Sequence, residues 1–179
     1  MSAADLTRQT IVARTKELSA KKSFAKLSVI EITRCCGISR NTFYYYFNDK
    51  YAVVEWIFEN ELLPILQPMM TAEQWPESVV ALCEHMKKEK YFYISALYDP
   101  NRHGLQQLLV DYYKNFLLST AQPRCEALHL SGESQEIIAR FYSHAVLGLI
   151  CDWARAGMKK DADFATRAIR LAAKERLFT

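Results

Sequence analysis

The chain has 179 residues, half of them hydrophobic, with only five Gly and five Pro. It is long enough to bury a core and too poor in turn formers to read as disordered or all-β. No run of about 18 apolar residues occurs, which argues against a membrane-spanning helix; Met1 to Thr10 is polar, unlike a signal peptide, so a cytoplasmic location is expected. The net charge is only +3 but unevenly spread. Residues 1–50 carry nine Lys/Arg against four Asp/Glu, a basic head of +5 on a body of −2, and such a head suits a polyanionic partner.

In chain order the pattern is helical almost throughout. Leu6 to about Lys22 places Ile11, Val12, Thr15 and Leu18 at helical spacing. Ser28 and Glu31 then form a capping box ahead of Val29, Ile30 and Ile32, a short helix that Gly37 stops at Cys36. Ser39, two residues past the glycine, caps the next segment, Arg40–Phe47. Asn48-Asp49 caps another, which runs from Lys50 to about Leu63, where Pro64 ends or kinks it. Further helices are expected at 65–71, 76–89, 91–98, 104–119, 134–156 and 161–177. They are separated by turn signals such as Asp99-Pro100-Asn101, Gln122-Pro123 and Ala156-Gly157. The fold class is all-α, about nine helices: a head over 1–50, a connecting helix 50–63, and a helical body over 64–179.

Short helices joined by the tight turn Cys36-Gly37-Ile38-Ser39 make a helix-turn-helix unit, whose second helix enters the DNA major groove by its first residues. Arg40 can pair bidentately with guanine, Asn41 can read adenine, and Thr42 can reach a phosphate or a thymine methyl. Tyr44, Tyr45 and Tyr46 are consecutive, so they point about 100° apart and cannot all be core. Phe43 and Phe47, four apart, suit the core. Lys50 opens a helix whose N-terminal amides already favour a phosphate.

With these residues in place, Phe24 to Lys50 resembles the DNA-binding signature of the TetR family. The match runs through Ser28, Glu31 and Ile32, then Gly37-Ile38-Ser39-Arg40-Asn41-Thr42-Phe43-Tyr44-Tyr45-Tyr46-Phe47. Asn41 stands where the family commonly has Gly, and Arg34-Cys35-Cys36 replaces an Ala-rich helix end. The resemblance implies that Arg40, Asn41 and Tyr45 face bases or nearby phosphates. It implies that Thr42, Tyr44, Tyr46 and Lys50 hold the backbone, and that Ser28 caps its helix near a phosphate.

Residues 65–179 are expected to dimerise. Glu136–Arg155 carries Ile138, Phe141, Leu149 and Trp153, with small Ala145 and Gly148 allowing close approach, and the last helix carries Phe164, Ala168 and Leu171. Two such helices per subunit can form a four-helix bundle, as the resemblance also implies. Phe141–Met158 further looks like a short C-terminal domain type within the family. A homodimer would read a palindromic operator in double-stranded DNA. His85, Met86, Tyr93, His103, Tyr112 and Phe116 suit either a small-molecule cavity or a core with tyrosine hydroxyls at its edge. The resemblance implies an effector that releases DNA, while short bodies of this type answer a protein co-regulator or activate instead.

Other classes are disfavoured. The five cysteines, an odd number, include no C-x-x-C pair and no zinc spacing, so reduced and mostly buried thiols are expected, with no metal or cofactor. No G-x-S-x-G, Walker loop, H-E-x-x-H or G-x-G-x-x-G occurs, so no enzyme is expected.

Overall fold

The computed structural model describes residues 3–71, 74–99, 104–159, 161, 164 and 167–168. Among these the elements are helical: α1 (Ala3–Ser19), α2 (Val29–Cys36), α3 (Arg40–Tyr46), α4 (Lys50–Ile57), α5 (Leu63–Leu66), α6 (Trp75–Lys88), α7 (Lys90–Leu97), α8 (Leu105–Ala127) and α9 (Gly132–Arg155), with short 3₁₀ turns at Phe24–Lys26 and Gln67–Met69. No described helix is long and apolar enough to cross a membrane.

The head is built from short helices with side-chain caps. α1 buries Ile11, Val12, Thr15 and Ser19. Its two buried hydroxyls are satisfied within the helix, Thr15 Oγ1 donating to the Ile11 carbonyl and Ser19 Oγ to that of Thr15, both at 2.8 Å. At α2 both halves of the capping box are present: Ser28 Oγ accepts from the Glu31 amide, and Glu31 Oε2 accepts from the Ser28 amide at 3.0 Å. Gly37 (φ 68°) ends α2 in the left-handed region, and the Ile38 amide reaches back to the Thr33 carbonyl at 3.1 Å, a Schellman closure that favours glycine. Phe43, Phe47, Ile32 and Phe24 fill the space beneath.

α4 joins head to body. Val53, Val54 and Ile57 lie in the core with Phe58, Leu62 and Leu66, one continuous cluster running from Ile11 to Met158. Pro64 does not end the helical run, which continues to Leu66. A π-helical turn over Phe58–Leu62 widens the ladder, and the Leu63 amide bonds back to Phe58. Pro64 therefore falls in the first turn of α5, where its missing N–H leaves no gap.

α7 covers the helix expected at 91–98, and Phe92 and Tyr93 are buried among α1 and α6 residues. The body departs from expectation at one turn. Gln122-Pro123 is no turn, since α8 continues to Ala127 with Pro123 inside it. Pro123 and Ser119, whose carbonyl loses its helical donor, are both exposed, so that carbonyl is within reach of solvent. α8 and α9 pack along one another as the longest pair in the body. Most of the expected helix 161–177 lies outside the described residues.

Candidate nucleic-acid interface

α3 is a short helix held firmly from below and open above. Phe43 is fully buried and Phe47 nearly so, their rings 5.9 Å apart. Ser39 Oγ accepts from the Thr42 amide at 3.0 Å and lies 2.8 Å from the Thr42 hydroxyl. Thr42 thus shares its hydroxyl with the cap, leaving it half-buried on the first turn. Arg40 and Asn41 are exposed beside it. The Arg40 guanidinium lies 5.8 Å from the centre of the Tyr44 ring, with Nη2 donating to Tyr44 Oη at 3.5 Å, so two of the expected DNA-contacting side chains steady one another.

The three tyrosines part as their spacing requires. Tyr45 is 80% exposed, Tyr44 44%, and Tyr46 is half-buried. Tyr46 packs edge-on against Tyr45 at 5.0 Å, and the Arg8 guanidinium of α1 sits over its other side at 5.4 Å. Sequence reasoning missed Arg8: it entered only the charge count, because the α1–α3 contact that places it is not local in sequence.

Ser28 and Glu31 carry the other edge. Lys22 Nζ donates to Glu31 Oε1 at 2.7 Å, and with the Ser28 hydroxyl and amide this holds the Glu31 carboxyl down at about 2. Lys50 does otherwise than its position suggested. Its ammonium donates to the carbonyls of Phe24 (2.7 Å) and Ala25 (2.8 Å), lies 4.9 Å from the Phe24 ring, and has its pKa lowered by burial. The reason is the 3₁₀ turn Phe24–Lys26, which turns the Phe24 and Ala25 carbonyls toward the start of α4, where a point cation can bridge them. Asp49 rather than Lys50 completes the cap, accepting from the Tyr51 and Ala52 amides at 2.7 and 2.9 Å.

The body residues expected at a ligand site do not line one space. Met86 and Tyr93 are fully buried core. His85 is half-buried against Tyr93, ring centres 5.9 Å apart, its Nε2 3.6 Å from Glu61 Oε2, and burial pushes its pKa down. Tyr112 packs on Phe58 and Phe116 on Trp75, while His103 lies outside the described residues. An apolar cavity of about 340 Å³ opens elsewhere, between the start of α6 and the facing ends of α8 and α9, lined by Trp75, Leu117, Ala121, Cys125, Ile138 and Tyr142 among others. The aromatic count could not locate it, because the cavity forms where helix ends diverge.

The face expected to dimerise divides likewise. Along α9, Phe141 is 67% exposed and Ile138 40%, with Ala145 and Gly148 exposed and Leu149 half-buried. Trp153, expected on that face, is turned inward, 3% exposed and stacked on Phe164 at 6.2 Å. It lies on the buried stripe of Ala139, Val146 and Ile150, so helical phase removes it from the outer face. Ala168 is half-buried, and Leu171 lies outside the described residues. The thiols are free; burial raises Cys36 to about 11 and Cys83 to about 12, away from nucleophilic reactivity.

A capped helix-turn-helix with an open recognition face, sharing one hydrophobic core with a helical body, defines a DNA-binding regulator. The family described as bacterial regulatory proteins of the tetR family matches residues 11–57, and that described as the transcriptional regulator C-terminal region matches 73–174. The chain belongs to the TetR family and is a transcriptional regulator, not an enzyme. Among curated proteins, 88 residues are 26% identical to the dhaKLM operon transcriptional activator DhaS of Lactococcus lactis, covering 49% of this chain and about half, 47%, of that relative. Two solved structures share the fold. NalD, the secondary repressor of the MexAB-OprM multidrug efflux pump in Pseudomonas aeruginosa, has a TM-score of 0.66 at 21% identity, over 98% of this chain and 96% of that one. The FadR repressor of Thermus thermophilus, in complex with lauroyl-CoA, has a TM-score of 0.60 at 21% identity, over 96% of each.

Proposed function

We propose that the protein is a homodimeric repressor that binds a palindromic operator and is released from it by a small apolar ligand. The observation that carries this reading is the α3 face: Arg40, Asn41 and Tyr45 stand exposed on a helix whose other side is fixed by buried Phe43 and Phe47. Arg40 and Asn41 read base edges, and Tyr45 reaches bases or nearby phosphates. Ser28, Thr42, Tyr44 and Tyr46 line the approach of the backbone, while Lys50 acts from within by holding the 3₁₀ turn against α4.

A single recognition helix reads few base pairs, so the reading requires a second copy. The exposed apolar stripe of Ile138, Phe141 and Ala145 on α9 supplies a twofold interface of the kind that closes on itself. The apolar cavity beside it supports a ligand with a hydrocarbon portion, since its lining offers few polar groups. The similarity to DhaS, described as an activator, supports the alternative in which the bound regulator recruits rather than blocks transcription.

Selection of bound sites from a random DNA pool tests the proposal. Enrichment of a palindrome with half-sites about one DNA turn apart, roughly 34–36 Å, is expected. Enrichment of a single unpaired half-site, or of no sequence, refutes the dimeric operator.

A further inference from the structure

The seam between head and body holds a second feature that DNA binding does not use. Two open cavities, about 370 and 400 Å³, run along the gap between α1 and α7. Both include Ala20 and Tyr91 in their walls, so they form one continuous groove. Six lysines border it, Lys16, Lys21, Lys22, Lys87, Lys88 and Lys90, against two acids, Glu17 and Glu89. Its α7 wall presents Tyr91, 60% exposed, Tyr98, 39% exposed, and half-buried Ile94. These three lie at i, i+3 and i+7, one helical face.

The groove has two unlike ends. At one, Lys16 meets Glu89 at the α6–α7 junction and Glu61 of the connecting helix; at the other, Lys22 reaches Glu31 of α2. A duplex seated on α3 leaves the Lys16–Glu89 end open.

We propose that this groove docks an acidic segment of a protein co-regulator, one in which carboxylates flank an apolar side chain. Lys88 and Lys90 match the carboxylates directly, Lys16, Lys21, Lys22 and Lys87 do so by exchange with the acids they pair with, Glu89, Glu17, Glu31 and Glu84, and the Tyr91–Ile94–Tyr98 face takes the apolar anchor. Glu17 and Glu89, set among the lysines, disfavour the continuous charge of a nucleic acid. The consequence for the head follows from Lys16. Its ammonium donates to Glu89 at 2.5 Å and to Glu61, in the π turn of the connecting helix, at 2.6 Å. A carboxylate entering at the Glu89 end competes for that ammonium and loosens the tie between α1 and the body. Docking therefore changes how the head is held, whichever sign the regulation takes.

The test is selection of random twelve-residue peptides on the immobilised full-length protein, with the double variant Lys21→Glu/Lys88→Glu as the counter-target. Both side chains are exposed, so the variant keeps its thermal midpoint. Expected are peptides of net negative charge with at least one large apolar residue, binding the double variant about tenfold more weakly and Tyr91→Ala also more weakly. Neutral or basic winners, winners indifferent to the charge reversal, or no enrichment overturn the proposal. So does a loss of non-specific duplex binding in the double variant as large as that in Arg40→Ala, which would make the groove an accessory nucleic-acid surface. Operator selection on the same variant is expected to be unchanged, so failure here is distinguishable from failure of the DNA-binding reading.

Discussion

The head and the body solve opposite problems with the same secondary structure. In the head, α2, α3 and α4 are each about two turns long, too short to persist alone, and each carries a side-chain cap: Ser28, Ser39 and Asp49. Ile32, Phe43, Val53, Val54 and Ile57 point inward, while the outward face of α3 carries Arg40, Asn41 and two tyrosines. In the body, α8 and α9 exceed twenty residues, α9 leaves an apolar stripe exposed, and their ends part around a cavity. Double-stranded DNA is a constant partner, and a rigid, preorganised face loses least entropy in binding it. The body instead leaves apolar surface uncovered, which the proposed second copy along α9 and the proposed ligand in the cavity would cover.

The sharpest way to break that contrast is to soften the head. Phe43 is fully buried under the recognition helix, and Phe43→Ala should cost about 3–5 kcal/mol of stability. Since head and body share one hydrophobic cluster, denaturant unfolding should remain a single transition with its midpoint lowered. A separate early transition with an unchanged main midpoint would show that the head folds independently.

The body's surface is probed by Phe141→Asp. Phe141 is 67% exposed in the single chain, so the fold should survive while association is lost. Sedimentation should report a monomer of native helix content, and operator affinity should fall by about 2 kcal/mol or more. An unchanged dimer would move the interface off this stripe.

Arg40→Ala and Lys50→Ala separate reading from bracing within the head. Arg40→Ala should weaken operator binding by about 1–3 kcal/mol and relax preference at one base position, with stability unaltered. Lys50→Ala should do the reverse. It removes two charge-assisted bonds to Phe24 and Ala25 and should cost about 1–3 kcal/mol of stability. The salt dependence of binding should keep its slope, because no phosphate contact is lost. A slope shallower by about one would return Lys50 to the phosphate backbone.

This division also decides what the sequence could show. Capping boxes, left-handed glycines and cap serines act over three or four residues, so Ser28, Gly37 and Ser39 announce the head's helices and the helix-turn-helix they make. Lys50 misleads because the carbonyls it satisfies lie 25 and 26 residues away. Trp153 misleads because one residue's rotation about α9 separates an outer face from an inner one, and periodicity gives the existence of two faces without saying which meets solvent. Pro123 signals a turn by local rule, but an exposed proline on a long, well-packed helix loses only one bond, at a carbonyl open to solvent. The cavity had no sequence signal, since it belongs to the space between helix ends.

The smallest effect tests whether the head's electrostatics are as local as its caps. Lys22 and the Ser28 hydroxyl and amide hold the Glu31 carboxyl down at about 2, from an ordinary 4.5. A depressed acid stabilises the fold through its charged form, so this contribution is fully present above about 4.5 and disappears as pH falls through about 2. Glu31→Gln keeps an acceptor for the Ser28 amide but removes the charge. Wild type should therefore lose more of its unfolding midpoint than the variant between pH 4.5 and 2, while every other carboxylate titrates equally in both. Because Glu31 lies at the surface, the difference should shrink as salt is raised. A difference that persists at high salt would mean that the hydrogen bonds to Ser28, rather than the pairing with Lys22, hold the carboxylate in its charged form.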